Sequence, residues 1–164
     1  MKKGNFTIFL LLFAEFCLAQ NYILPNEDLI FSFPTKNGKK MVLAKDKNNA
    51  YIIYRFGTAN NIELEYPEKN KESWNKFTYS YYFRGGGIQN AGMEITSIFF
   101  KIGNFDYLIY DDYYSESDEL TTGILVTNLT TNKETDIKGN YDKIEGTLYD
   151  IRQSGLLKMD DRIR

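Results

Sequence analysis

The sequence predicts an all-β domain, an antiparallel meander of about eight strands that forms a barrel or a two-sheet sandwich. Three observations support this fold class. Short runs rich in aromatic and β-branched residues recur along most of the chain, turn residues separate them, and several runs alternate apolar with polar side chains. Strands have this composition and this period of two, because successive side chains point to opposite faces of a sheet.

The first half of the chain contains four predicted strands: residues 28–33, 40–45, 50–56 and 61–66. The polar stretch DKNN between the second and third strands predicts a hairpin. In NIELEY the apolar Ile62, Leu64 and Tyr66 alternate with polar residues, which is typical of a half-buried strand. Pro67 ends this strand, and we expect the charged segment that follows, up to residue 76, to cross the surface.

The second half contains five more candidate strands: residues 77–83, 94–102, 105–110, 122–129 and 134–138. Gly103-Asn104 between two apolar runs is a strong hairpin signal. The stripe Phe77, Tyr79, Tyr81 and Phe83 shares one face and is expected to belong to the core. The tail over residues 147–157 predicts either a last strand or a short helix stopped by a glycine, and KMDDRIR is expected to fray.

The N-terminal stretch MKKGNFTIFLLLFAEFCLAQ has the layout of a secretory signal peptide. Two lysines precede an apolar run that is shorter than the ~20 residues of a membrane span. We expect residues 1–19 to be removed, with cleavage after Ala19 or, as the second choice, after Gln20. The product is then a single β domain, residues 20–164, that is periplasmic or secreted and has no membrane span.

The residue inventory excludes several chemistries. The sequence contains no histidine, and its single cysteine, Cys17, lies in the predicted signal peptide. Catalytic Ser-His-Asp and Cys-His sets and zinc sites built on histidine or cysteine are therefore excluded. A net charge of −2 and the lack of a basic stripe argue against nucleic acid as a partner. We expect no cofactor, no metal and no catalytic residue.

The stretch YYFRGGGIQNAG, residues 81–92, is the most unusual part of the sequence. It matches neither a P-loop nor a dinucleotide fingerprint, because the lysine and the following helix that those motifs need are missing. One interpretation is a wide turn of about ten residues whose glycines allow positive φ or a bulge. The other is a binding tip on a rigid sheet. The binding hypothesis names Arg84, Gly85, Gly86, Gly87, Gln89 and Asn90, with Tyr82, Tyr113 and Tyr114 as neighbouring contacts.

Acidic residues concentrate in DDYYSESDE, residues 111–119. This stretch predicts a solvated loop between two strands, with weak calcium binding as the less favoured alternative. Paired carboxylates are the only enzyme chemistry that the inventory readily permits. The candidates are Glu94, Asp106, Asp111 and Asp112, but the sequence does not show two of them facing one cleft. Tyr110 is grouped with the tyrosines expected at the surface.

Several segments resemble a family of small exported bacterial proteins. They are YIIYRFG, IELEYP, YSYYFRGGGIQNAG, YLIYD and VTNLTTNKETDIKG, within roughly residues 40–157. The resemblance implies that the glycine stretch is a family feature, and it implies no activity. In general plan alone, an exported β domain of this size is also similar to bacterial lysozyme inhibitors.

These observations predict an exported binding protein rather than an enzyme. The expected partner is another exported protein, bound in the manner of an inhibitor or immunity protein through the loop Arg84 to Gly92 and nearby tyrosines. A glycan- or cell-wall-binding module is the alternative, and a carboxylate-based glycoside hydrolase is the third hypothesis.

Overall fold

The computed structural model describes residues 22–87 and 90–162. Within these residues nine strands of six or more residues follow one another along the chain: β1 Glu27–Pro34, β2 Lys40–Asp46, β3 Ile52–Thr58, β4 Asn61–Tyr66, β5 Phe77–Arg84, β6 Met93–Ile102, β7 Phe105–Tyr114, β8 Glu119–Asn128 and β9 Lys133–Lys138. The C-terminal part adds β10 Glu145–Gly146, helix α1 Tyr149–Ser154 and β11 Lys158–Met159. Two short 3-10 helices occupy Lys71–Lys76 and Tyr141–Lys143.

The strands form two sheets, so the sandwich is the correct alternative and the all-β prediction is confirmed. The first sheet has the order β10-β1-β2-β3-β4, and the second has the order β11-β5-β6-β7-β8-β9. Strands that are consecutive in sequence pair as antiparallel hairpins within each sheet. Two pairs depart from the predicted antiparallel meander, because β10 pairs with the distant β1 and β11 lies parallel to β5.

The main core lies between the two sheets. The first sheet contributes Phe31, Phe33, Met41, Leu43, Ile52 and Tyr54, and the second contributes Phe77, Ile98, Phe100, Ile109 and Ile124. Aromatic rings connect the layers, since Tyr54 lies 4.8 Å from Phe100 between ring centroids. Offset or tilted rings at this distance add about 0.5–1.5 kcal/mol to the gain from burial alone.

A second, smaller cluster covers the outer face of the first sheet. Val42, Ala44, Tyr51 and Ile53 pack there against side chains from residues 22–29. This layer explains why KMVLAK and YIIYRF are apolar on both faces instead of alternating, because central strands covered on both sides bury every side chain.

The charged segment before β5 is not simply a surface crossing, as the sequence predicted. Its 3-10 helix buries Ser73 and Trp74. The indole N–H of Trp74 donates to the carbonyl of Asn49 at 3.0 Å, and the Ser73 hydroxyl accepts from the N–H of Ile52 at 2.9 Å. The lysines and glutamates around Trp74 indicated an exposed segment, so the sequence did not predict that Trp74 anchors it.

The C-terminal tail forms the predicted short helix, but it does not fray. Helix α1 ends at Gly155, which has φ +66°. Beyond it, Lys158 and Met159 pair with β5, and Asp160 accepts a hydrogen bond from the Thr78 hydroxyl at 2.6 Å. The prediction of a loose end is therefore wrong up to residue 162.

The helices in the described residues are all too short or too polar to cross a membrane. The predicted signal peptide, residues 1–19, lies outside the described residues.

Candidate functional site

The inner face of the second sheet changes from apolar to polar towards one end. Ile98 on β6 belongs to the core, and Thr96 and Glu94 are the next two inward-facing residues on the same strand. The strand register places Asp111 opposite Thr96 and Tyr113 opposite Glu94. Because residues two apart share a face, all four side chains point to the same side as the core.

Two large apolar side chains flank this polar end. Phe83 pairs with Glu94 on one side, and Leu120 pairs with Tyr113 on the other. Phe83 is 61% exposed and Leu120 is 45% exposed. The stripe that begins at Phe77 was expected to be core throughout, but it reaches solvent at Phe83 because β5 continues beyond the covered part of the core.

The segments after β9 turn this end of the sheet into a cleft. Helix α1 and the 3-10 helix at Tyr141 lie across it and leave a cavity of about 250 Å³. This volume corresponds to roughly eight water molecules. The cavity is lined by Glu94, Thr96, Asp111, Asp112, Tyr113, Leu120, Tyr141, Thr147, Leu148 and Tyr149.

The acidic stretch 111–119 is mostly strand, which corrects the predicted loop. Strand β7 continues to Tyr114 and β8 begins at Glu119, so only four residues connect them. Asp111 and Asp112 consequently alternate between the two faces of the sheet. Within the described ranges no three carboxylates come close enough together to hold a metal ion.

The electrostatics of the cleft disfavour the ionised form of Asp111. Burial, followed by the negative charges of Asp112 and Glu94, raises the pKa of Asp111 to about 6. The pKa of the Tyr141 hydroxyl is also raised, by burial and by the charges of Asp111 and Glu94. The charges of both carboxylates therefore affect the pKa of Tyr141, although this residue comes from a different part of the chain.

Six polar side chains of the cleft make no hydrogen bond within the part of the chain that the structure describes. The carboxylates of Glu94 and Asp111 accept no hydrogen bond there, and neither do the hydroxyls of Thr96, Tyr113, Tyr141 and Tyr149. Buried or half-buried carboxylates elsewhere are paired, as Glu27 is with Arg55 and Asp160 is with Arg162. A concave surface that gathers polar side chains without hydrogen bonds inside the protein is a candidate ligand site.

The glycine stretch continues the β5–β6 hairpin. The N–H of Gly87 donates to the carbonyl of Asn90 at 2.9 Å, in the same register as the pair Arg84 and Met93. The hairpin is therefore narrow up to this point, unlike the wide turn considered above, and its described glycines have no positive φ. Gly85, Gly86, Gly87 and Asn90 are exposed, and Gln89 lies outside the described residues.

Arg84 stabilises this end of the hairpin with a hydrogen bond across it. Its Nε donates to the carbonyl of Ala91 at 2.9 Å. A shallow depression of about 320 Å³ lies beside it, with Tyr114, Glu116 and Glu119 among its walls. A Cβ added at Gly92 would lie 3.0 Å from the backbone nitrogen of Gly86 on the opposite side of the hairpin. This close approach explains why residue 92 is a glycine.

The predicted contact tyrosines separate onto the two faces of the sheet. Tyr113 lines the cleft, and Tyr114 lines the depression beside Arg84. Tyr82 is half-buried on the face opposite the cleft. Tyr110, expected at the surface, is fully buried, and its hydroxyl donates to Asp136 at 2.8 Å.

Six cleft residues were missed in the sequence: Thr96, Leu120, Tyr141, Thr147, Leu148 and Tyr149. Thr96 sits in an ordinary strand pattern, and the two tyrosines follow the last long strand. The available signal was the pair of inward positions, 94 and 96, where the strand EITSIFFKI loses its apolar side chains.

The chain matches no known family model, no curated protein and no solved structure.

Proposed function

We propose that this chain is an exported binding protein that recognises another exported protein with the polar end of its second sheet. The observation that carries the proposal is the cleft itself, where the side chains of Glu94, Asp111 and Thr96 make no hydrogen bond among the described groups. Exposed Phe83 and Leu120 at the rim supply apolar contact area. An interface commonly combines such an apolar rim contact with polar groups that fix orientation.

The glycine hairpin continues the same end of the second sheet. Its nearest cross-strand row is Arg84, Met93, Tyr114 and Glu119, which follows the row of Phe83, Glu94, Tyr113 and Leu120 and points to the opposite face. A partner that contacts the cleft therefore lies close to residues 84–92. This arrangement supports the earlier choice of the hairpin as a contact, although we assign the deeper contact to the cleft.

Affinity capture with matched variants tests the proposal. The immobilised protein is exposed to exported proteins, beside the cleft variant Glu94→Gln/Asp111→Asn and the hairpin variant Arg84→Ala/Asn90→Ala. The control variant Glu134→Gln/Asp161→Asn removes the same number of charges at exposed positions away from the cleft lining. We expect a protein that the wild type and the control retain and the cleft variant loses. Equal retention by all variants would contradict the proposal.

A glycan is the second candidate ligand, favoured by one observation. Asp111, whose pKa is raised, shares the cleft with Glu94. The two residues are diagonal neighbours on adjacent strands, and the backbone positions of such neighbours are about 7–8 Å apart. Glycoside hydrolases use an acid with a raised pKa and a second carboxylate. Polysaccharide turnover that both Glu94→Gln and Asp111→Asn abolish would favour this function over protein binding.

A further inference from the structure

The charge of the cleft restricts what it can bind. The side chains of Glu94 and Asp111 face it, and the described lining contains no lysine or arginine. The arginine of α1, Arg152, lies over the ring of Tyr81 at 3.5 Å from the centroid and is not part of the lining. An anionic ligand would meet unbalanced negative charge, whereas a cation would relieve it.

The walls of the cleft also suit a cation. Tyr113, Tyr141 and Tyr149 come from a strand, a 3-10 helix and α1, so three different elements contribute tyrosines to the lining. Aromatic faces attract ammonium and guanidinium groups, most strongly when the cation is desolvated. The carboxylates and the tyrosine rings of the lining therefore both attract a cationic group.

A buried hydroxyl completes the set of groups. Thr96 is only 6% exposed, faces the cleft beside Asp111, and makes no side-chain hydrogen bond within the described residues. Its hydroxyl is therefore available to exchange a hydrogen bond with a ligand in the cleft. A donor group of a ligand would satisfy its acceptor lone pairs while pairing with the two carboxylates.

We propose that the cleft receives one cationic group, the ammonium or guanidinium end of a lysine or arginine side chain projecting from the protein partner. The cavity of about 250 Å³ holds one long side chain and excludes a folded segment. The apolar stem then lies against Leu120 and Leu148, which are also in the lining. This inference rests on the proposed function, because it names the part of the partner that the cleft recognises.

Small-molecule titration tests the chemistry without the partner. The full chain is titrated with α-N-acetyl-lysine amide and α-N-acetyl-arginine amide, and with α-N-acetyl-norleucine amide as the uncharged analogue. Binding is followed by NMR shifts of the tyrosines that line the cleft. We expect at least one cationic probe to bind about tenfold or more tightly than norleucine amide, because only the cationic probes can donate hydrogen bonds from a charged side chain to the carboxylates.

Variants locate the binding. Glu94→Gln/Asp111→Asn should weaken the cationic probe by about tenfold or more, while Glu134→Gln/Asp161→Asn should not. Thr96→Val should weaken it by a smaller factor. Equal binding of norleucine amide, no shifts at the cleft tyrosines, or a response unchanged in the cleft variant would each overturn the inference.

The two proposals fail in different ways. If the cleft variant loses a captured protein but cationic probes show no preference, the cleft is a protein contact of another chemistry. If cationic probes bind the cleft but every variant captures the same proteins, the cation site stands and the proposed protein partner does not.

Discussion

A fully buried ion pair lies away from the cleft and is structural. Arg55 is 1% exposed, and its guanidinium contacts both carboxylate oxygens of Glu27, at 2.6 and 2.8 Å. Burial opposes the ionisation of Glu27, but hydrogen bonds from Arg55, the N–H of Leu24 and Tyr51 hold its pKa below its ordinary value. Since Arg55 also donates to the carbonyl of Tyr22, this pair fixes residues 22–27 onto the first sheet.

Removing Arg55 should therefore destabilise the fold severely. We expect Arg55→Met to lower the free energy of unfolding by about 3–5 kcal/mol, because Glu27 is left buried without its partner. The double variant Arg55→Met/Glu27→Leu should recover much of this loss. Urea unfolding measures both effects.

The control for that experiment is Lys39→Met, which removes one partner of the half-exposed pair between Lys39 and Glu63. Such pairs contribute about 0–1 kcal/mol. A loss in Arg55→Met no larger than that in Lys39→Met would show that the buried pair does not hold the N-terminal segment.

At the scale of elements, α1 depends on a glycine at its C-terminal end. Gly155 has φ +66°, and a Cβ added there would meet no atom within 4 Å. A substitution at Gly155 should therefore destabilise the protein only through the positive φ, and not through a steric clash. We expect Gly155→Ala to lower the free energy of unfolding by about 1–2 kcal/mol.

Gly85→Ala is a matched control for this prediction. A Cβ at Gly85 also meets no atom within 4 Å, but Gly85 has no positive φ. Gly85→Ala should leave stability unchanged or raise it slightly. Equal chemical-denaturation midpoints for the two alanine variants would contradict the role assigned to φ at Gly155.

The strands were predictable because they follow local rules. Alternation in β4 and the Gly103-Asn104 turn need no knowledge of distant residues. The ends of β7 and β8 were not predictable, because aspartate and glutamate are depleted in strands and suggested a loop. Pairing with β6 outweighs that preference and carries β7 through Asp111 to Tyr114.

The cleft was predictable only in part for a related reason. The sequence named Glu94, Asp111 and Tyr113, since their residue types carry chemistry. Their convergence depends on strand register and on Tyr141 and Tyr149 arriving from elements about 30 residues or more away. Such long-range packing leaves no local periodic signal.

For the whole molecule, the cleft makes stability depend on pH in an unusual direction. The folded-state pKa of Asp111 is about 6, above the ordinary value of 3.8. Between these values the folded chain retains a proton that the unfolded chain has released, so this contribution to stability falls as pH rises and levels off above about pH 7. The titratable groups around Asp111 in the lining are Glu94, Asp112, Tyr113, Tyr141 and Tyr149.

Replacing Asp111 with an uncharged isostere should therefore stabilise the protein at neutral pH. We expect Asp111→Asn to raise the free energy of unfolding by about 2 kcal/mol at pH 7.5 and to have little effect near pH 4, where aspartate is protonated in the folded state. Urea unfolding of both proteins at pH 4, 6 and 7.5 measures this difference, with Glu134→Gln as a control that should show no such trend. A destabilised Asp111→Asn at pH 7.5 would mean that Asp111 is already well solvated or paired. A stabilised variant that also loses its ligand would show that the fold keeps an unfavourable carboxylate because binding requires it.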